Sequence, residues 1–155
     1  MSRGATRVDE AIRDVRATFP FPEIYQHTTD TVRTLGNLLQ ELAPSGGRLL
    51  DIGCGALDKT AVFKRIGYEC FACDDFQDYW HSRDENRGPL LAFAQEAGIP
   101  VHTWSDTLTI PWEPASFDIV TIINVIEHLH ESPRDILNFA GSYLKTGGLL
   151  FVGMP

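Results

Sequence analysis

Arg48-Leu49-Leu50-Asp51-Ile52-Gly53-Cys54-Gly55-Ala56-Leu57-Asp58-Lys59-Thr60 is the stretch whose reading decides the fold. Leu49, Leu50 and Ile52 form a short apolar run after Ser45-Gly46-Gly47, which reads as a buried strand entered from a turn. Gly53 and Gly55 remove two side chains where the chain must reverse, and a helical pattern starts at about Asp58. Strand, glycine turn and helix start together make a cradle. Main-chain N–H groups point outward there, and a ligand can approach the backbone with no Cβ in the way.

Asp51 narrows the choice of ligand. A carboxylate two residues before the first glycine would repel a diphosphate and suits a cationic or amino-bearing group. Asp58 also stands where the third glycine of a dinucleotide fingerprint would fall. The pattern Leu50-Asp51-Ile52-Gly53-Cys54-Gly55 resembles the first motif of class I methyltransferases that use S-adenosyl-L-methionine (SAM). A glycine turn in some other α/β protein is the plainer reading of these residues alone.

Working outward, Ala5 to Phe19 reads as a charged helix with Val8, Ile12 and Val15 on one face, ended by Pro20 and Pro22. A second helix is expected from about Thr29 to Leu42, packed beside the first strand. Tyr25 to His27, between them, reads as a surface loop or a lid. Downstream, Lys59 to Ile66 is a helix stopped by Gly67, and Tyr68 to Cys73 a second strand ending in Asp74-Asp75. These acids lie about twenty residues beyond Gly53, where βαβ nucleotide folds place a carboxylate that accepts from ribose hydroxyls.

Phe76 to Gly88 reads as a polar, aromatic loop in which Trp80 either covers a ligand or anchors the loop. Pro89 is read as the first residue of a helix running to about Ala97. Ile99 to Trp104 is a third strand, closed by Ser105-Asp106. Phe117 to Ile123 is a fourth, leading into Asn124-Val125-Ile126-Glu127-His128. Ser132-Pro133 opens a helix, and Leu144-Lys145-Thr146-Gly147-Gly148 turns into a fifth strand through Val152, resembling the family's Leu-Lys-Pro-Gly-Gly turn.

The expected fold is therefore α/β, a doubly wound, mostly parallel sheet with helices on both faces. Residues 1–46 would be helices packing on a Rossmann-like core at 47–155. Gly53, Asp74, Asp106 and Asn124 all fall at carboxyl ends of strands, where such sheets bind ligands. The resemblance implies SAM as cofactor. Its methionine end would lie over Gly53, Cys54 and Gly55, with Asp51 serving the ammonium directly or through water. Ribose would go to Asp74 and Asp75, and adenine to Asp106 and the Thr107 N–H.

Candidate bases are His81, His102, His128 and His130. His128 is the most interesting, because Asn124, Glu127 and His128 fall at i, i+3 and i+4 of an expected helix start. Related enzymes hold a metal there through Glu-x-x-Glu-His, but Asn124 replaces the first acid, so no metal is expected. Cys70 and Cys73 have C-x-x-C spacing within a strand. They read as two buried thiols on opposite faces in a reducing cytoplasm, with no zinc.

A net charge of −8 over 155 residues argues against broad binding to nucleic acid or to a membrane surface. The expected acceptor is a small molecule or a glycan. The sheet of the resembling family continues past its fifth strand, so the apolar Leu149–Val152 edge suggests a fragment of a longer chain, or a homo-oligomer that covers it. Two other readings stay open. One is a SAM-fold module that binds without catalysing, and the other a nicotinamide-dependent oxidoreductase, which Asp51 and the missing glycine disfavour.

Overall fold

The computed structural model describes residues 6–82, 84–105 and 108–155. Helix α1 (Arg7–Thr18) starts at a reciprocal cap, in which the Asp9 N–H donates to Thr6 Oγ1 and the Thr6 N–H donates to Asp9 Oδ2. It buries Val8, Ala11, Ile12 and Val15. A single 3-10 turn at Pro22–Ile24 leads into α2 (Tyr25–Leu42). This helix begins four residues before the expected Thr29. The Tyr25 side chain is buried, and its hydroxyl donates to the Asp58 carbonyl at 2.7 Å. Tyr25 to His27 are thus the first turn of a packed helix, neither loop nor lid.

Strand β1 (Gly47–Ile52), helix α3 (Asp58–Arg65) and strand β2 (Tyr68–Asp74) follow as expected. The next segment differs from the sequence reading. A short helix α4 (Tyr79–Ser82) occupies the supposed loop, and α5 (Asp84–Glu96) begins before Pro89 and carries it inside. Asn86 Nδ2 donates to the Trp80 carbonyl at 2.8 Å, a bond that links the two helices and that no periodicity announces. Strand β3 (Val101–Thr103) is short. Strand β4 (Phe117–Ile123), helix α6 (Arg134–Tyr143) and strand β5 (Leu144–Gly153) complete the chain.

The five strands form one parallel sheet in the order β3-β2-β1-β4-β5. Alternate strand residues feed two cores, as the pleat requires. On one face Leu49, Cys70, Ala72 and Ile119 pack with apolar side chains of α1, α2, α3 and α5. On the other, Leu50, Phe71, Cys73 and Val120 pack with Ile136, Phe139 and Ala140 of α6. The first core runs without a break from α1 into the sheet, so residue 46 marks a change of element type within one packed unit. Cys70 and Cys73 lie in different cores, both buried and free, and Cys54 is also buried and free. Burial pushes all three thiols above the usual cysteine range.

Phe117-Asp118 fastens the end of the sheet far from the strands' carboxyl termini. Asp118 Oδ2 accepts from the Arg48 N–H at 2.8 Å, and Oδ1 pairs with Lys145 Nζ at 3.0 Å. These contacts, the Arg48 amide first, hold its carboxyl below the ordinary range. Beside it the β4–β5 register jumps, Phe117 facing Leu144 but Ile119 facing Leu149. Strand β5 lies at the sheet edge and leaves Leu150 and Val152 39% and 44% exposed. Among the described residues no helix is long and apolar enough to cross a membrane.

Candidate active site

The turn after β1 is shaped by left-handed residues. Gly53 has φ +70° and Gly55 φ +56°, and the buried Leu57 follows at φ +64°. The N–H groups of Gly53 and Cys54 both donate to the Cys73 carbonyl, at 2.8 and 3.2 Å, which ties the turn to β2. The two glycines meet different surroundings. A Cβ at Gly53 would lie 2.3 Å from Val125 Cγ2, whereas one at Gly55 would have nothing within 4 Å. Both glycines line a cleft of about 990 Å³ at the carboxyl ends of the strands.

Asp51 lies beneath this turn, outside the cleft lining. It is fully buried, and its two oxygens accept from the Thr60 and Thr121 hydroxyls at 2.5 and 2.7 Å. In this structure Asp51 acts as a brace, one carboxylate fastening β1 to α3 and β4. Burial raises its carboxyl above the ordinary range, against the opposing charge of Lys59. The Lys59 side chain is half-buried. Desolvation works against its charge, but Asp58 at 3.5 Å and Asp51 outweigh this and hold its ammonium above the ordinary range. The Cys54 side chain also points into the core, so only its backbone belongs to the turn.

At the end of β2, Asp74 lines the cleft and closes on the glycine turn. Its Oδ2 accepts from the Gly55 N–H at 2.8 Å, and its Oδ1 from the Phe76 N–H at 2.9 Å. Burial raises its carboxyl above the usual range, and these two amides oppose the rise. A carboxylate offers about four acceptor positions, so each oxygen keeps room for a further donor. Asp75 stands beside it in the lining, exposed, with Oδ1 accepting from the Gln77 N–H at 3.0 Å. Asp106 and Thr107, assigned from sequence to adenine, lie outside the described residues.

The opposite wall is built by the segment after β4. Asn124 adopts φ +56° and donates its N–H to the Gly153 carbonyl at 2.9 Å. It ends the strand, so Asn124, Glu127 and His128 do not share one helix face as their spacing suggests. Only a 3-10 turn forms, at Ile126–His128. All three nonetheless line the cleft. Of the four candidate histidines, His128 and His130 reach the lining, whereas His81 and His102 do not. Among the described residues no three His, Cys, Asp or Glu side chains converge closely enough to hold a metal ion.

His81 is buried, with Nδ1 2.8 Å from Asp78 Oδ2, and its N–H donates to Asp78 Oδ1 at 2.9 Å. Its ring packs edge-on against Phe76 and Trp80, and Trp80 in turn against Phe21. Trp80 is thus the anchor of the loop and not a cover for the ligand. Asp78, Trp104, Glu131 and Asp135 line the cleft without having been singled out from the sequence. Trp104 carried a usable signal, its place directly after β3. The three acids carried none beyond nearness to strand ends.

A parallel sheet in this order, with a glycine turn after β1 and an acid after β2 facing one cleft, is the Rossmann-like fold of class I SAM-dependent methyltransferases. The chain belongs to the methyltransferase-domain family, whose model matches residues 25–155. It is 30% identical over 133 residues to a ubiquinone biosynthesis O-methyltransferase of Xanthomonas axonopodis pv. citri, covering 84% of this chain and 52% of that one. A protein of the same name from Roseobacter denitrificans is 29% identical over 126 residues, covering 77% and 47%. The chain spans about half the length of the curated relatives it matches.

Solved structures agree on the fold. A Pyrococcus horikoshii protein superposes with a TM-score of 0.61 at 23% identity, covering 82% of this chain and 58% of its own. A SAM-bound amino pentose methyltransferase of Micromonospora echinaspora gives 0.56 at 20% identity, covering 79% and 49%.

Proposed function

We propose that this chain transfers the methyl group of SAM to a small-molecule or glycan acceptor. One observation carries the reading: the Gly53–Gly55 turn and Asp74 are bonded to each other, and both face the same cleft. The residues present fit the cofactor. Open space above Gly55 admits the amino-acid end against the backbone, and Asp74 keeps acceptor positions for a vicinal diol, with Asp75 adjacent.

When bound, SAM supplies an electrophilic methyl carbon on a sulfonium. The chain's own part is to align an acceptor with it and to exclude water. An amine acceptor needs no strong base beyond what deprotonates it, whereas an alcohol benefits from one. His128 and Glu127 on the far wall are the side chains assigned to that task. The names of the curated relatives support a small-molecule acceptor.

Calorimetric titration with SAM and S-adenosylhomocysteine (SAH), on wild type and Asp74→Ala, tests the cofactor site. Micromolar binding that collapses in the mutant is expected, and a folded protein that binds neither would overturn the reading. Transfer of labelled methyl to an acceptor panel then separates an enzyme from a module that only binds.

A further inference from the structure

Resting on that reading of the cleft, we infer that the acceptor is a cationic small molecule, one that presents a protonated amine to the wall opposite the cofactor. Among the described residues the lining contains six carboxylates, from Asp74, Asp75, Asp78, Glu127, Glu131 and Asp135, and no lysine or arginine. Among the described residues none of the six is paired with a lysine or arginine. Asp74 and Asp75 belong to the cofactor side at the end of β2. Glu127, Glu131 and Asp135 stand across the cleft, beyond what one cofactor sulfonium and ammonium need.

Asp78 lies on the cofactor side, between β2 and α4. It faces the cleft while both its oxygens are held by the buried His81, whose Nε2 is buried with no hydrogen-bond partner. This carboxylate is fixed in place before any ligand arrives, and a donor entering the cleft meets a preset acceptor. The volume also leaves room for a second molecule, since about 990 Å³ lies at the top of the ~300–1,000 Å³ range of small-molecule sites.

A concave surface of one sign focuses its field on the space it encloses and selects ligands by charge. The proposal concerns the acceptor's charge and not the atom that receives the methyl group. An amino sugar methylated on oxygen would satisfy it, and so would a polyamine that anchors through one ammonium and receives the methyl on a second, unprotonated nitrogen. It does set this chain apart from an enzyme for neutral, lipid-like acceptors, because a neutral ring gains nothing from unpaired carboxylates and must displace their water.

The test uses the SAH-loaded protein, whose cofactor analogue carries no sulfonium charge. Calorimetry compares matched probes: glucosamine with glucose, tyramine with 4-ethylphenol, and spermidine with a neutral glycol of similar length. The expected result is that at least one amine binds about tenfold more tightly than its neutral partner and loses that advantage as salt rises. The Glu131→Gln, Asp135→Asn double variant should weaken the amine and leave SAH affinity and melting temperature unchanged.

Neutral probes binding as well as amines, or no amine binding to a protein that holds SAH, would overturn the inference alone. Failure to bind SAH at all would instead remove the cofactor reading on which it rests.

Discussion

On the β1–β2 wall of the cleft, polar groups are held by other parts of the protein. Asp51 is closed off by Thr60 and Thr121, Asp74 by the amides of Gly55 and Phe76, and the turn amides by the Cys73 carbonyl. On the β4–α6 wall, Glu127, His128, Glu131 and Asp135 are exposed, and between β4 and α6 the backbone forms only a 3-10 turn. The first wall is prebuilt for one ligand, whereas the second is left for a ligand to complete. On the proposed reading, the rigid wall suits a cofactor that never changes, and the open charged wall is where acceptor choice would reside.

The largest effect that sharpens this contrast should come from Asp51→Ala. It strands two buried hydroxyls and removes a neighbouring charge from the half-buried Lys59, and should cost about 3 kcal/mol of stability by urea unfolding. Gly53→Ala comes next. Its Cβ strikes Val125 at a left-handed position, for about 2–3 kcal/mol. Gly55→Ala pays only the backbone term, about 1–2 kcal/mol, because space above it is open. A larger loss for Gly55→Ala than for Gly53→Ala would break the comparison.

Asp74→Ala should barely move stability yet lower SAH affinity about a hundredfold in calorimetry, the effect of losing charge-assisted bonds to a diol. The sign with pH follows from its raised carboxyl. Only the ionised form accepts at both oxygens, so affinity falls as pH drops through that raised value, earlier than for an ordinary carboxylate. Asp74→Asn should abolish this step. Smallest of all, Glu131→Gln and Asp135→Asn should each change stability by less than about 0.5 kcal/mol in thermal melts. A loss as large as that of Asp51→Ala would show that this wall is braced too.

The sheet was legible because its evidence is local. Leu49-Leu50-Ile52 and Phe117 to Ile123 are apolar runs between turn signals, and Gly53 and Asp74 stand at fixed places after strands. What escaped depends on contacts distant in sequence. Tyr25 enters a helix because its hydroxyl reaches Asp58, and α5 begins before Pro89 where Asn86 ties it to α4. Asp51 was legible as a carboxylate in a telling place, but its partners sit 9 and 70 residues away, and only the fold shows the brace it makes with them. Asn124 misled through its spacing, since i, i+3 and i+4 presume a helix that its left-handed backbone prevents.

The three buried cysteines have a practical consequence. Alkylating reagents react with exposed thiolate, and here every native thiol is both shielded and held in its protonated form. A single cysteine introduced on the charged wall, as in Glu131→Cys, would thus be the one fast-labelling site in the folded chain. A fluorophore placed there would report ligand arrival in the cleft directly, without a turnover assay.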